Sequence, residues 1–444
     1  MLTATLLTLV VLPVLYALIE GRNKNKKKMK LNFNKTTLLI VGFLTIGFSG
    51  VAQNDTNENA PLQEISLEEA QAMALKNYPK LKVAKLAIRS EEVMRKSAWN
   101  FGRTQVFTGK EEVGNGSDGV FNKIGIQQQG IDVFGIPSKL KLQKERVILA
   151  EDMLGLSKIE VERDVSKAWI DVYVAKKIFD VYKRLDSLFT SIESASKLRY
   201  EIEETSKLEY LATSNQASQV KIQQEKAYRN YLSSLQYLNM WLVSDTLYTI
   251  PEISVNTLDK PFDYKIDSLT DHPILSVSKQ QIEVANAMNR NAKASFLPKL
   301  QGQYAQQEIA GQSGYYQFQV GLEIPLFFGP QLGESQQTKI KQQIAQENFI
   351  QKKIELKTQY QQQLQDYLKW QNAWFYYKET ALPLADEQIN GAIIAYKEGA
   401  LDYVSFLQNT RDAIKIEVDS WTAFKDYFTS RYQLAYYLKS TTIN

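Results

Sequence analysis

The sequence contains one pattern of residues twice, and this internal duplication restricts the possible folds more than any other feature. Asn77–Leu81 (NYPKL) aligns with Asp271–Leu275 (DHPIL), 194 residues later in the chain. Val133–Gly135 (VFG) aligns with Phe327–Gly329 (FFG) at the same offset of 194 residues, so no gap interrupts the stretch between the two matches. A duplication on this scale predicts two similar structural units rather than unrelated domains.

The duplication and the N-terminal composition divide the chain into five segments. Residues 53–245 are the predicted first repeat, residues 269–444 the second, and residues 246–268 the linker between them. Residues 1–28 begin with an apolar run of about 18 residues, just long enough to span a bilayer, and continue with a basic stretch. Residues 29–52 read as a secretory signal peptide, with lysine first, then an apolar stretch, then small residues before the predicted cleavage site. A two-helix membrane anchor is the alternative interpretation.

The composition excludes several functional classes. The 444 residues include no cysteine, which excludes disulfides and thiolate metal sites. They include a single histidine, His272, which argues against histidine-based metal sites and catalytic triads. The sequence shows neither a nucleophile–base pair nor a Gly-rich phosphate loop, so we predict no enzyme activity and no cofactor. The net positive charge of the chain comes from its N-terminal segment. Residues 1–52 hold seven basic side chains and one acidic one, whereas the rest of the chain holds 46 basic and 48 acidic ones. We therefore predict no nucleic-acid partner.

Each copy reads as a helix, two strands, a very long helix, a turn and a returning helix. Strand periodicity is clearest in the second copy, where apolar and polar side chains alternate. Such a strand places its apolar groups on one face, which meets a core in a soluble protein and lipid in a transmembrane barrel. The first copy is weaker, because Gln128 interrupts the apolar set. The predicted apolar face comprises Ile124, Ile126, Tyr316, Phe318, Val320, Leu322 and Ile324.

The helices after the strands are too long for a compact domain. The first is predicted over 138–198, about 90 Å at 1.5 Å per residue, and its counterpart over 334–395, with Pro383 expected to kink it or start a new segment. Returning helices are predicted over 207–242 and 401–440. The first long helix carries a seam with the alternating 4–3 spacing of a coiled coil, formed by Val161, Val165, Ala168, Val172, Ala175, Phe179 and Tyr182. Helices of this length need lateral partners of similar length.

Together these features resemble the TolC-type outer membrane efflux family. The resemblance covers residues 60–442 and includes the strings Ala74–Leu81, Ala294–Leu300 and Ala395–Tyr403. It implies a mixed α+β membrane protein: a homotrimer in which four strands per protomer form a transmembrane β-barrel above a long α-helical coiled-coil barrel. It further implies location in the outer membrane of a Gram-negative bacterium, with a large periplasmic part. The implied partners are outer membrane lipid, a periplasmic adaptor (membrane fusion) protein and an inner-membrane resistance-nodulation-division pump.

The same resemblance assigns a periplasmic tip, where family members carry the turn motif Tyr-x-x-Gly in each repeat. Tyr396 and Gly399 match this motif in the second repeat, whereas in the first repeat Tyr200 is followed by Glu203 in place of the glycine. The first tip turn is therefore expected to differ in shape. Some members narrow the tunnel with rings of aspartates, and the positions that align with them here are the uncharged Ser405 and Gln408, with Asp402 as the nearest acid.

The apolar segment at the start of the chain carries a separate resemblance. It is similar to the end of the last transmembrane helix of heavy-metal pumps of the resistance-nodulation-division family, where strings like TATLLTLVVLPVLY recur. This implies that residues 1–28 are the tail of such a pump fused to the rest of the chain, or that the start codon is assigned too early. It also suggests heavy-metal cations as the exported substrate.

The sequence thus predicts an exit duct of a tripartite efflux system, which passively conducts substrates from an inner-membrane pump across the periplasm and the outer membrane. The alternative is a periplasmic coiled-coil adaptor or scaffold protein without a membrane pore. That alternative explains the helices but leaves the duplicated two-strand segments, with their apolar face, without a role.

Overall fold

The computed structural model describes residues 63–112, 120–253, 258, 262–264, 269–309 and 311–439. The predicted pump-like segment and signal peptide lie outside the described residues. The linker 246–268 is described only in part. Within the described residues, no helix combines the length and the apolar character needed to cross a membrane.

The first half of the chain starts with two short helices where the sequence predicted one. Ser66 caps the first helix in a capping box, since its hydroxyl accepts from the backbone N–H of Glu69 at 3.2 Å while the Glu69 carboxylate accepts from the Ser66 N–H at 2.9 Å. The helix ends before Pro79 because the residue preceding a proline favours extended backbone, and Tyr78 has φ −63° and ψ 127°. The elements are β1 Gln63–Glu64, α1 Leu67–Asn77, α2 Pro79–Met94, a 3₁₀ turn Arg95–Ala98, β2 Arg103–Glu112, β3 Val120–Ile131, α3 Ile136–Glu201, α4 Lys207–Leu242 and β4 Tyr248–Thr249.

The second half has the same order of helix, two strands, long helix, turn and helix. Its long helix is interrupted by one π-helical turn just before Pro383, which agrees with the prediction that a new segment starts there. The elements are a 3₁₀ turn Leu269–Asp271, α5 Pro273–Ala294, β5 Lys299–Ile309, β6 Gln312–Glu323, α6 Gly329–Tyr376, the π-helical turn Tyr377–Ala381, α7 Leu382–Lys397 and α8 Tyr403–Leu438.

The four long strands form a single antiparallel sheet of order β2-β3-β5-β6. The central pairing, β3 with β5, joins the hairpin of the first half to the hairpin of the second half. Strands β2 and β6 therefore lie at the two edges of the sheet. A separate two-residue parallel pairing joins β1 to β4, so that the start of the first half lies beside the end of α4.

Helix α3, with 66 residues, organises the helical part. At 1.5 Å per residue it is about 100 Å long, and it packs against α4, α5, α8, α2 and α1. Its predicted seam is buried at Val161, Val165, Ala168 and Val172, each at most 1% exposed, and half-buried at the three remaining positions. Aromatic rings complete the core around this seam, with Trp169 stacked on Tyr173 at 6.0 Å between ring centroids. The predicted seam therefore faces the core of the helical bundle.

Candidate functional site

The predicted apolar residues of the strands share one face of the sheet. Direct cross-strand pairing places Val106, Ile126, Tyr304 and Phe318 in one row across all four strands. Their side chains are 73, 48, 46 and 71% exposed, so no other part of the described residues covers this face. Residues directly opposite each other on neighbouring strands point to the same side. The sequence analysis missed Val106 and Tyr304, because the alternation around them is interrupted by polar and small residues.

The other predicted apolar residues extend the same face above and below this row. Ile124 pairs with Gln306, which pairs with Tyr316, and these three form the next row. On β6, Phe318, Val320 and Leu322 alternate with polar residues and glycine, and Ile324 follows directly after the strand. All seven predicted residues are exposed. Their contact with lipid remains a prediction.

Gln128, which interrupts the apolar pattern of the first repeat, is accommodated within this face. Its side-chain amide donates to the backbone carbonyl of Phe101 and its side-chain oxygen accepts from the hydroxyl of Thr104. Hydrogen bonds lower the cost of placing an amide in apolar surroundings. The glutamine is therefore compatible with a mainly apolar face.

Both edges of the sheet continue into helices with exposed apolar side chains. Helix α2 leads into the edge strand β2 and exposes Val83, Leu86 and Val93 by 65, 60 and 62%. Helix α6 follows the other edge strand, β6. Its exposed apolar residues include Ile340, Ile344 and Ile354, which are 56, 53 and 61% exposed. We call these two surfaces the edge surfaces.

At the opposite end of the long helices, the turn between α7 and α8 reverses the chain through Gly399. This glycine has φ +73°, a backbone conformation that side chains with a Cβ rarely adopt. The N–H of Ala400 donates to the carbonyl of Ala395 at 2.8 Å, and the N–H of Gly399 donates to the carbonyl of Tyr396 at 3.2 Å. This pattern is a Schellman motif, which satisfies the last carbonyls of a helix.

The turn between α3 and α4 has the same shape, contrary to the expectation of a different one. Glu203 adopts φ +62°, the N–H of Glu204 donates to the carbonyl of Arg199 at 2.8 Å, and the N–H of Glu203 donates to that of Tyr200 at 3.1 Å. Tyr200 itself stacks on Tyr210 at 5.8 Å. The flanking helices hold the glutamate in this conformation, which costs about 1 kcal/mol for a residue with a Cβ.

Tyr396 connects the two halves of the chain at this tip. Its hydroxyl donates to a carboxylate oxygen of Glu209 at 3.2 Å, and its ring stacks on Phe406 at 4.6 Å. Burial and the neighbouring carboxylate of Glu209 raise the pKa of Tyr396 to about 12. The hydroxyl is therefore protonated at physiological pH and available as a donor.

The three remaining tip positions lie on the first turns of α8. Asp402 is the N-cap of this helix, where its carboxylate accepts from the N–H groups of Val404 and Ser405 at 2.9 and 3.0 Å. The Ser405 hydroxyl donates to the same carboxylate at 2.7 Å, so the aligned tunnel position Ser405 binds Asp402, the nearest acid. These hydrogen bonds from Ser405 and Val404 lower the pKa of Asp402. Gln408 is exposed one turn further along.

His272 is the N-cap of helix α5, directly before Pro273. The ring is 2% exposed. Its Nδ1 accepts from the backbone N–H of Ile274 at 3.2 Å, and its Nε2 lies 3.0 Å from the carbonyl of Tyr436. Since a carbonyl only accepts, Nε2 carries the proton and the ring is neutral. Burial lowers the pKa of His272. Across the described part of the chain, no group of three or more His, Cys, Asp or Glu side chains could hold a metal ion.

Comparison with known proteins places this fold. No protein-family model and no curated protein sequence matches the chain. Among solved structures, the Campylobacter jejuni CmeC outer membrane channel matches with a TM-score of 0.72 and 13% identity, covering 95% of each chain. CusC, whose structures describe transmembrane channel formation, matches with a TM-score of 0.71 and 15% identity, covering 85% of this chain and 92% of that one.

A third similar structure is the open state of the Neisseria gonorrhoeae MtrE outer membrane channel. It has a TM-score of 0.65 and 15% identity, and covers 84% of this chain and 88% of that chain. These similarities extend over the sheet and the long helices together, which confirms the resemblance inferred from the sequence at the level of the fold. The chain has the fold of TolC-type outer membrane channels.

Proposed function

We propose that this chain is one protomer of an outer membrane exit duct in a tripartite efflux system. The observation that carries the proposal is the four-stranded sheet, which combines one exposed apolar face with two open edges. A sheet in lipid must pair every backbone N–H and C=O group, since no water is present to replace a missing strand. Further copies of the chain are the simplest source of the missing strands.

The edge surfaces favour a ring of identical copies. Strand β2 and the apolar residues of α2 lie at one edge, and strand β6 and those of α6 at the other, so one copy can present its first edge to the second edge of the next. Such head-to-tail contacts close into a ring when the rotation allows it. Three copies with four strands each would give the 12-stranded barrel of the proposed homotrimer.

The helices would continue this barrel as a conduit through the periplasm of a Gram-negative bacterium. A hydrated conduit spares polar solutes the cost of entering hydrocarbon, so the duct itself needs no energy source. An inner-membrane pump would supply the energy and a periplasmic adaptor would connect the two. The tip formed by Tyr200, Glu203, Tyr396, Gly399, Asp402, Ser405 and Gln408 is the proposed gate.

Export of heavy-metal cations remains a prediction that rests on the N-terminal resemblance alone. It can be separated from the proposal of a duct, since a duct accepts whatever its pump delivers. Deleting the gene in a cell that carries the matching pump and measuring tolerance to metal salts tests the substrate. Unchanged tolerance would contradict metal export without contradicting the proposed duct.

Two neighbouring residues on β6 provide a sharp test of the barrel. Phe318 lies on the apolar face and Gln319 on the opposite face. We expect Phe318→Lys to block membrane assembly, because a lysine facing lipid near the bilayer centre costs about 2–4 kcal/mol. We expect Gln319→Lys to assemble normally. The readouts are heat-resistant oligomers in detergent extracts of outer membranes and conductance in planar bilayers.

The same measurements test the alternative of a periplasmic adaptor or scaffold. Recovery of wild-type protein as a water-soluble monomer without conductance would contradict the duct. Equal tolerance of both lysine variants would contradict the assignment of the apolar face to lipid.

A further inference from the structure

Four glutamines lie side by side across the sheet. Gln105 pairs directly with Gln127, Gln127 with Gln303, and Gln303 with Gln319, so each of the four strands contributes one amide to a single cross-strand row. We propose that this row, which we call the glutamine belt, lines the barrel interior as a band of neutral amides and passes polar solutes without selecting them by charge. This inference rests on the proposed barrel and specifies the class of solute that it admits.

The belt lies on the face opposite the apolar residues. Each belt residue directly precedes or follows a member of the apolar row along its own strand, and successive side chains of a strand point to opposite faces. The neighbouring row on the belt side shows close packing. There Ala305 is fully buried, and a Cβ on Gly125 would lie 2.6 Å from the ring of Phe107. If the apolar face meets lipid, the belt faces the lumen.

The chemistry of the amide explains the absence of charge selection. A primary amide carries no charge, and its carbonyl accepts hydrogen bonds while its NH₂ group donates them. A cation can therefore exchange water for the amide oxygen, and an anion can exchange water for the amide N–H. On the same face, Gln307 donates to the side-chain oxygen of Gln317 at 2.9 Å, which shows that amides here bond to each other as well.

Charged residues on the belt face lie in other rows and partly offset each other. Lys123 forms an ion pair with Glu111 at 2.8 Å, nearer the hairpin ends. Lys299 lies directly opposite Glu323, nearer the helices, with Arg103 at the same end of β2. The belt itself contributes no charge. Three copies of the chain would place 12 amides in the lumen, as three such rows, and a barrel of 12 strands is narrower than the porins with 16 or more.

The test converts one belt residue to either charge. Gln127→Glu and Gln127→Lys each place three like charges in a trimeric barrel, within about one Debye length of the axis at 0.1 M salt. From reversal potentials in a KCl gradient across planar bilayers, we expect the glutamate variant to raise the K⁺/Cl⁻ permeability ratio by about threefold and the lysine variant to lower it by a similar factor. The permeability ratio of the wild-type protein should lie midway between those of the two variants.

Gln312→Glu is the matched control, because it makes the same chemical change at the hairpin end of β6. This control should leave the permeability ratio of the wild type unchanged. Equal amounts of heat-resistant oligomer in all variants establish that assembly is intact. Conducting channels whose ratio is the same in the belt variants and the control would overturn this inference alone. Absence of current from the wild type would overturn the proposed duct and the belt with it.

Discussion

The hydroxyl of Tyr396 donates a hydrogen bond to the carboxylate of Glu209 across 3.2 Å, although 187 residues separate the two in the sequence. Glu209 also lies 3.9 Å from the guanidinium of Arg199, and its second oxygen accepts from the hydroxyl of Thr205 at 2.6 Å. One carboxylate on α4 therefore connects the turn of the first repeat to α7 of the second. This link holds the two turns of the tip together.

We expect Tyr396→Phe to loosen the tip. The substitution removes a hydrogen bond to a charged group, worth about 1.5–3 kcal/mol, and keeps the ring on Phe406. Increased single-channel conductance or more frequent opening in planar bilayers would show the loosening. Tyr200→Phe, at the equivalent position of the first repeat, is the control and should behave as wild type. Identical conductance in the two variants would contradict a latching role for Tyr396.

The two tip turns predict opposite effects on stability. Glu203→Gly removes the strain of a positive φ and should stabilise the first turn by about 1 kcal/mol. Gly399→Ala introduces the same strain and should destabilise the second turn by a similar amount. A Cβ on Gly399 would meet no atom within 4 Å, so the effect comes from the backbone alone. Hydrogen exchange at the amides of Glu204 and Ala400 measures each turn separately. A slower exchange of Ala400 in Gly399→Ala would contradict the prediction.

A β-branched residue at Gly399 should have a larger effect. Gly399→Val adds restricted side-chain rotation to the strain at φ +73°. We expect it to impair tip closure or docking of the pump assembly. Conductance and export assays report on these two steps, and wild-type behaviour in both would argue against a role for this turn.

Two substitutions of Asp402 distinguish its role as a helix cap from a role in an acidic constriction of the tunnel. Asp402→Ala should destabilise the start of α8 by about 1 kcal/mol, whereas Asp402→Asn keeps a good cap without the charge. Since the folded state lowers the pKa of Asp402, its stabilising effect is present above the ordinary value of 3.8 and is lost as pH falls through the lowered pKa. Reduced cation selectivity in Asp402→Asn with an intact helix would instead support a constriction.

His272 predicts a dependence of stability on pH. Folding lowers its pKa, so the unfolded chain binds the proton more readily and stability falls as pH drops below the ordinary value of 6.5. The physical reason is that burial disfavours the charged ring. In addition, a protonated Nδ1 can no longer accept from the N–H of Ile274. Asn caps helices without titrating, so His272→Asn should remove this part of the pH dependence. The check is denaturant unfolding of both proteins between pH 5 and 8, and parallel curves would contradict it.

The long elements follow closely from the sequence. The predicted helix over 207–242 is observed as Lys207–Leu242, and the one over 138–198 as Ile136–Glu201. The prediction of a single helix before the strands of the first copy is wrong, because Pro79 divides it at Tyr78. Helical periodicity continues across this break, which is why the pattern alone did not reveal it. The break is indicated by Pro79 itself, because the residue before a proline, here Tyr78, disfavours helical backbone.

At the tip, the sequence located the two turns, but it did not predict the backbone conformation and the hydrogen bonds of their residues. Motif spacing located both tip turns, but Glu203 adopts the glycine-like conformation that its side chain disfavours. The flanking helices determine this conformation, and a local preference of about 1 kcal/mol is smaller than their packing energy. The sequence places Asp402 as the acid nearest the aligned tunnel positions, and the structure shows in addition that its carboxylate caps α8. A cap depends on backbone N–H groups that only the folded helix places.

The sequence by itself determined the duplication, the approximate lengths of the long helices and the apolar residues that share a face of β6, because these depend on the sequence pattern itself. Only the tertiary structure decided that β3 pairs with β5, that four glutamines align, and that Tyr396 reaches Glu209. Those relationships join residues that are distant in the chain. Their register is set by packing and hydrogen bonds between whole elements, which no local pattern encodes.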